Sequence, residues 1–259
     1  MPEYTATEIM TIGAARRLTN GTVCFVGIGM PSAAANLARL THAPEVVLIY
    51  ESGTIGAKPD VLPLSIGDGE LAAHADTVVS IPEIFRYWLQ GGRVDVGFLG
   101  AAQVDRFGNI NTTVIGDYAK PKVRLPGAGG APEIASNAKQ TWIIIKQTKR
   151  SFVPKLDFMT SVGHLDGGDS RARSGARGLG PTAVITDLGV LEPDPVTREL
   201  TLVALHPGVT VEQAKASTGW ELKVAGHLPV TATPTAVELQ TLRDLHARTA
   251  KAHGTVASE

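Results

Sequence analysis

Several things are scarce in this sequence. Among 259 residues there is one cysteine, Cys24. No internal disulfide can form. Cys24 lies in TVCFVGIG, which reads as a buried strand. Reactive thiols need an exposed electropositive setting, so Cys24 is expected in the core rather than as a nucleophile. The bulk picture fits a reducing, cytoplasmic setting. Net charge is almost absent: 24 Lys and Arg against 25 Asp and Glu leave −1. That balance gives no support to a nucleic-acid or anionic-membrane role. No apolar run approaches the roughly 20 residues that cross a bilayer. The opening MPEYTATEIM is acidic rather than apolar, so no secretory signal is expected. The seven histidines show no H-E-x-x-H or similar spacing, and no metal is expected.

What is present is a globular composition, 43% hydrophobic and 19% charged, in a chain long enough for a sizeable core. Thr5-Ala6-Thr7-Glu8 is a capping box that starts a helix through Arg17. The strand Val23 to Val26 follows. Gly27-Ile28-Gly29-Met30-Pro31 then turns the chain into a helix, Ser32 to Leu40. Val46 to Tyr50 is apolar on both faces, the mark of a strand covered on both sides. Ser80-Ile81-Pro82-Glu83 opens another helix, to about Gln90, stopped by Gly91-Gly92.

Further strands are expected at Val94 to Leu99, Thr141 to Ile145 and Ala183 to Thr186. Leu188 to Leu191 and Leu200 to Leu205 form a hairpin across Glu192-Pro193-Asp194-Pro195. Two late helices span Thr210 to Ser217 and Thr235 to Ala250, and the tail from His253 is expected to fray. Alternating strand and helix predicts an α/β fold. It would be an open, mostly parallel sheet with helices on both faces and a small antiparallel hairpin at one edge. No repeat or linker divides the chain, so one domain over residues 1–259 is expected.

Open α/β sheets bind ligands at the carboxyl ends of their strands. Glu51 ends such a strand, and Ser52-Gly53 behind it permit a sharp turn that exposes a side chain. By position Glu51 is either a nucleophile or base in a crevice, or a solvated strand-end carboxylate. Gly27-Ile28-Gly29 lacks the rest of a dinucleotide fingerprint and reads as a tight turn. In Gly127-Ala128-Gly129-Gly130-Ala131-Pro132, bare amides suit an oxyanion hole or anion nest, or form a plain turn. Asp105-Arg106-Phe107-Gly108-Asn109, then Asn111-Thr112-Thr113, have the composition of a pocket mouth. Arg171, Arg173 and Arg177 would meet the phosphates of a nucleotide-like ligand, line a solvated loop or touch another subunit.

Three segments carry a family resemblance: VCFVGIGMPSAAANLARLTHAPEVVLIYESG, GFLGAAQVDRFGNINTTVIGDY and KPKVRLPGAGGAPEIAS. With weaker matches at FMTSVGHLDGGDS, TDLGVLEP and ALHPG, the chain resembles the family I CoA-transferases, in their glutamate-bearing β-type subunit, over nearly its whole length. A related branch hydrolyses steroid-derived rings and lacks this glutamate, which this chain keeps. The resemblance implies that Glu51 is the catalytic residue. It would attack an acyl-CoA thioester and pass through an anhydride and a glutamyl-CoA thioester, with ping-pong kinetics. It implies backbone donors at Gly129, Gly130 and Ala131 for the oxyanion and CoA. The substrates would be a coenzyme A thioester and a dicarboxylic or 3-oxo acid, with no separate cofactor. An α-type partner subunit would complete a heterodimer or a dimer of heterodimers. Ser52, Gly53 and Arg124, with Lys122, are candidates for holding the acid. Alternatives are an acyl-CoA hydrolase, in which water reaches the same intermediates, and a CoA-binding scaffold without turnover.

Overall fold

The computed structural model describes residues 3–254. Fourteen strands occur among them: β1 Val23–Val26, β2 Val47–Ile49, β3 Thr54–Ile55, β4 Thr77–Val78, β5 Val96–Gly100, β6 Gln103–Val104, β7 Ile110–Asn111, β8 Val114–Gly116, β9 Pro121–Arg124, β10 Gln140–Ile144, β11 Pro181–Ile185, β12 Gly189–Pro193, β13 Leu200–Leu205 and β14 Lys223–Val224. The helices are α1 Ala6–Ala15, α2 Met30–Leu40, α3 Glu70–Ala73, α4 Ile81–Glu83, α5 Ala131–Asn137, α6 Ser170–Arg173, α7 Val211–Ala216 and α8 Ala236–Ala252, with a π-helical turn at Ile84–Leu89.

Ten strands form one sheet in the order β14-β13-β12-β11-β10-β5-β1-β2-β3-β4. Its centre is parallel: Cys24 pairs with Leu48 on one side and Val96 on the other, and Trp142 pairs with Phe98. Side chains alternate between the two faces, as the strand period of two requires. Cys24, Val26, Leu48, Phe98 and Ile144 face a core shared with α1, α2 and α8. Phe25, Ile49, Leu99 and Ile143 face a second core with the π-turn, α5 and α7. This double covering explains why the central strands are apolar throughout. The predicted α/β fold with helices on both faces is the one observed.

Local chemistry sets the helix starts. Thr5 Oγ1 accepts from Glu8 N–H while Glu8 Oε2 accepts from Thr5 N–H, the reciprocal cap read from the sequence. Thr235 and Glu238 do the same for α8. Arg16 then binds Glu238 through two nitrogens at 2.7 Å, tying α1 to α8.

Four details differ from the sequence reading. The β12–β13 hairpin exists, but β14 pairs in parallel with β13 beyond it, so the hairpin is not the edge. The opposite edge is made of the two-residue antiparallel strands β3 and β4, too short to leave any periodicity. The helix opened at Ser80 has only three α-helical residues before it widens into the π-turn. His253 does not fray: its Nε2 lies 3.1 Å from Leu62 O. The rest of the predicted frayed tail, residues 255–259, lies outside the described residues. Among the described residues, no helix is long and apolar enough to cross a membrane.

Candidate active site

Glu51 leaves the carboxyl end of β2 in a tight turn. Gly53 N–H donates to Tyr50 O at 3.0 Å, and Tyr50 N–H donates to Thr54 O at 3.1 Å, so the chain reverses around Glu51 and Ser52. The turn demands glycine at position 53. Its φ is 104°, and a Cβ there would stand 2.0 Å from Val79 O. Beneath the turn, the buried Tyr50 hydroxyl lies 2.9 Å from Ser32 Oγ and accepts from Asn36 Nδ2 at 3.2 Å, fixing the strand end to α2. Burial pushes the Tyr50 phenol up to about 12, so it stays protonated. The Ser52 hydroxyl is buried without a hydrogen-bond partner.

The glycine loop lies between β9 and α5. It is stapled to the threonine run: Gly127 N–H donates to Thr112 O at 2.9 Å, and Thr112 Oγ1 donates to Gly127 O at 2.8 Å. Gly129 then turns the chain at φ 48°. Gly130 N–H donates to Glu51 Oε1 at 3.1 Å. A Cβ on Gly130 would meet Glu51 Oε2 at 3.0 Å and Phe85 Cζ at 2.6 Å, so backbone and carboxylate approach as closely as only glycine permits. Ala131 N–H donates to Ala128 O at 3.0 Å and is therefore engaged within the loop, unlike that of Gly130.

Beside this contact lies a cavity of about 390 Å³, at the carboxyl ends of β1 and β5. Ile28, Ile66, Leu99, Leu125 and Pro126 make it largely apolar, and Thr112 adds a hydroxyl. Among the described residues, Glu51 is the one charged residue lining it. The arrangement is a carboxylate at the lip of a largely apolar pocket, with one oxygen held by a backbone amide. Such a group can act as a nucleophile or base toward a substrate that fills the pocket.

Other sequence candidates fall elsewhere. Arg124 is exposed; its guanidinium lies 4.7 Å from the Tyr118 ring centroid and donates to Tyr118 O at 2.9 Å. Neither Arg124 nor Lys122 lines the cavity. Arg171 is not a phosphate hook but a buried strut. Its guanidinium donates to the carbonyls of Gly163, Ala135 and Arg177 at 2.9, 2.7 and 2.5 Å. Arg173 pairs with Asp169 on the surface, and Arg177 donates to Gln90 O at 2.8 Å. Cys24 is fully buried, and burial pushes its thiol well above the usual range. Asp60, Glu70 and His74 gather ligand atoms within 4.8 Å of one another, with Asp60 and His74 exposed.

A family model for coenzyme A transferase matches residues 7–217. The chain belongs to the coenzyme A transferase family. It is 67% identical, over the full length of both chains, to the B subunit of 3-oxoadipate CoA-transferase from Pseudomonas knackmussii. It is 38% identical to the B subunit of glutaconate CoA-transferase from Acidaminococcus fermentans, over 86% of this chain and 85% of the other. The solved structure of that glutaconate coenzyme A-transferase superposes with a TM-score of 0.87 at 34% identity, covering 93% of this chain and 94% of that one.

Sequence reasoning missed three parts of this transferase's candidate site. Tyr50 looked like one more apolar strand residue. Phe85 belongs to an element whose widening left no mark in the pattern. Ile66 lies in an irregular stretch. The helix expected from Ser80 to about Gln90 covered Phe85, but as ordinary helix.

Proposed function

We propose that this chain is the glutamate-bearing subunit of a CoA-transferase that moves CoA from succinyl-CoA to 3-oxoadipate, working with an α-type partner subunit. The observation that carries the chemistry is the Gly130 N–H on Glu51 Oε1 at the mouth of an apolar cavity. The choice of acid is supported by the 67% identical relative named for 3-oxoadipate. The single, buried, free thiol is in keeping with a cytoplasmic setting.

Gly130 holds Oε1, which leaves Oε2 to attack the thioester carbonyl of succinyl-CoA. The C–S bond breaks, CoA departs as thiolate and a mixed anhydride forms. The thiolate then attacks Cδ of Glu51, the anhydride C–O bond breaks and succinate leaves. Glu51 now carries CoA as a thioester. The carboxylate of 3-oxoadipate attacks Cδ, and the same steps in reverse give 3-oxoadipyl-CoA and free Glu51. No water is consumed and no net proton moves.

When the thiolate or the incoming acid adds to Cδ, Oε1 becomes the oxyanion, already in place on Gly130 N–H. Such a donor is worth about 3 kcal/mol in a water-poor site. Gly129 supplies a further amide for CoA or the oxyanion. The turn at Ser52 and Gly53 presents the carboxylate to the bound acid. CoA is a substrate; no further cofactor takes part. The apolar lining strips water from Glu51 and from the anhydride, which favours transfer over hydrolysis.

The test uses the chain purified with its α partner and follows CoA transfer from succinyl-CoA to a panel of dicarboxylic and 3-oxo acids. The proposal expects preference for 3-oxoadipate, and loss of exchange in Glu51→Gln. Preference for another acid overturns the substrate. CoA release without any acceptor overturns transfer in favour of hydrolysis.

A further inference from the structure

Two groups press on Gly130, the Glu51 carboxylate and the Phe85 ring. Both crowd the place where a Cβ on residue 130 would sit: Glu51 Oε2 falls 3.0 Å from it, and Cζ and Cε1 of the Phe85 ring 2.6 and 3.0 Å. Phe85 does not line the cavity beside Glu51. Its ring backs onto Phe25, fully buried on β1, with centroids 5.8 Å apart and planes tilted by 50°. The residue belongs to the π-turn, where Gln90 N–H donates to Phe85 O at 2.8 Å, a five-residue span. The widened turn is fastened to its surroundings: Gln90 Nε2 donates to Glu133 Oε2 of α5 at 3.3 Å, and Arg177 Nη1 donates to Gln90 O at 2.8 Å. π-turns inside helices are uncommon and occur often at functional sites.

We infer that Phe85 is a positioning residue: its ring fills the space beside Gly130 where a Cβ would lie and keeps that amide aimed at Glu51 Oε1. The physical reason is the loop itself. Gly127 and Gly129 both adopt φ values open mainly to glycine, so between the Thr112 staple and the Ala131–Ala128 bond the loop carries no side chain of its own to pack the Gly129–Gly130 segment. The threonine staple fixes Gly127, three residues upstream of the donor. On its carbonyl side Gly130 is held by α5, since Ile134 N–H donates to Gly130 O at 2.9 Å; beside its Cα, the phenyl ring is the apolar group that bears on it. Without the ring, the amide would sample positions off the carboxylate. A donor misplaced by an ångström loses most of its effect on a developing oxyanion. The π-turn gives Phe85 a reason to be wide: an extra residue in the turn re-aims its ring toward the loop.

This rests on Glu51 being the nucleophile, so the experiment carries controls for that reading. Wild type, Glu51→Gln, Phe85→Ala, Phe85→Leu and Leu242→Ala are prepared with the partner subunit. Leu242 is buried on α8, in the other core, and serves as a destabilising control. Acyl exchange is read as kcat and KM, and stability by thermal unfolding. Phe85→Ala should lower kcat about 10- to 100-fold, with KM for the acyl-CoA within about threefold. Phe85→Leu should recover most of that rate, and Leu242→Ala should lose stability without losing kcat. In the Phe85→Ala background, Gly130→Ala should cost less than it does alone, because half of its clash is gone. The proposal falls if Phe85→Ala keeps kcat within twofold, or loses rate only as Leu242→Ala does, or if the two substitutions at 85 and 130 are additive. If wild type does not exchange CoA, or Glu51→Gln keeps its rate, the nucleophile reading fails, and the role of Phe85 fails with it.

Discussion

The Gly130 amide reaches Glu51 Oε1 at 3.1 Å from 79 residues away in the chain, and Phe85 fills the space where a Cβ on Gly130 would lie. Position 130 therefore has no room for a side chain. Gly130→Ala should abolish most exchange, by roughly 100-fold or more in kcat, because the methyl group must push either the ring or the carboxylate aside. Steady-state kinetics of the assembled enzyme check this. A circular-dichroism spectrum unchanged from wild type shows that the loss is local.

Tyr50 anchors the turn that carries Glu51 through Ser32 and Asn36. Tyr50→Phe removes the hydroxyl and takes one contact from each of two buried polar groups, while Asn36 Nδ2 keeps its bond to Ser32 O at 3.0 Å. The expected cost is about 1–2 kcal/mol, read as a lower urea midpoint at unchanged slope. A variant as stable as wild type would show that those groups find other partners.

Arg171 donates to main-chain carbonyls from three separate segments, at Gly163, Ala135 and Arg177. Arg171→Ala should be among the most damaging single changes outside the cavity, costing about 3 kcal/mol or more, since buried carbonyls are stranded. If the arginine instead served CoA phosphates, the same substitution would raise KM for the acyl-CoA and leave the unfolding midpoint unchanged.

His206 is held neutral by its surroundings. Burial lowers its affinity for protons, outweighing the opposing hydrogen bond to Thr186 O, 2.9 Å from Nε2; its Nδ1 lies 2.7 Å from Thr231 Oγ1. Burial lowers that of His164 in the same way. The unfolded chain takes up these protons near pH 6.5, whereas the folded chain does so only at lower pH. Their stabilising contribution is complete above about pH 6.5 and is lost as pH falls below it. Urea midpoints measured from pH 8 to pH 5 should fall across that window, and His206→Gln should flatten the fall. A midpoint rising toward pH 5 would contradict the assignment.

The parts of this molecule that were legible in the sequence are those where local chemistry and global fold agree. Thr5 with Glu8, and the apolar run from Val46 to Tyr50, gave the right elements because caps and doubly covered strands carry their own signatures. Glu51 and the glycine loop were each visible as unusual residues after a strand. Their meeting was not, because a contact across 79 residues is a product of the sheet order and leaves no spacing. Arg171 misled for a related reason: a cation in a glycine-rich stretch looks solvated until Gly163, Ala135 and Arg177 surround it. The π-turn was illegible because one extra residue per turn barely disturbs an apolar pattern six residues long.

The covalent role of Glu51 is the claim on which the rest depends, and trapping tests it most directly. The assembled enzyme is incubated with succinyl-CoA and no acceptor, reduced with borohydride, digested and analysed by mass spectrometry. If Glu51 is the nucleophile, the peptide containing it loses its carboxylate to the corresponding alcohol, and this change is much reduced when 3-oxoadipate is added in excess before the reductant to discharge the thioester. A Glu51 peptide unaltered under conditions in which CoA exchange proceeds would contradict that role.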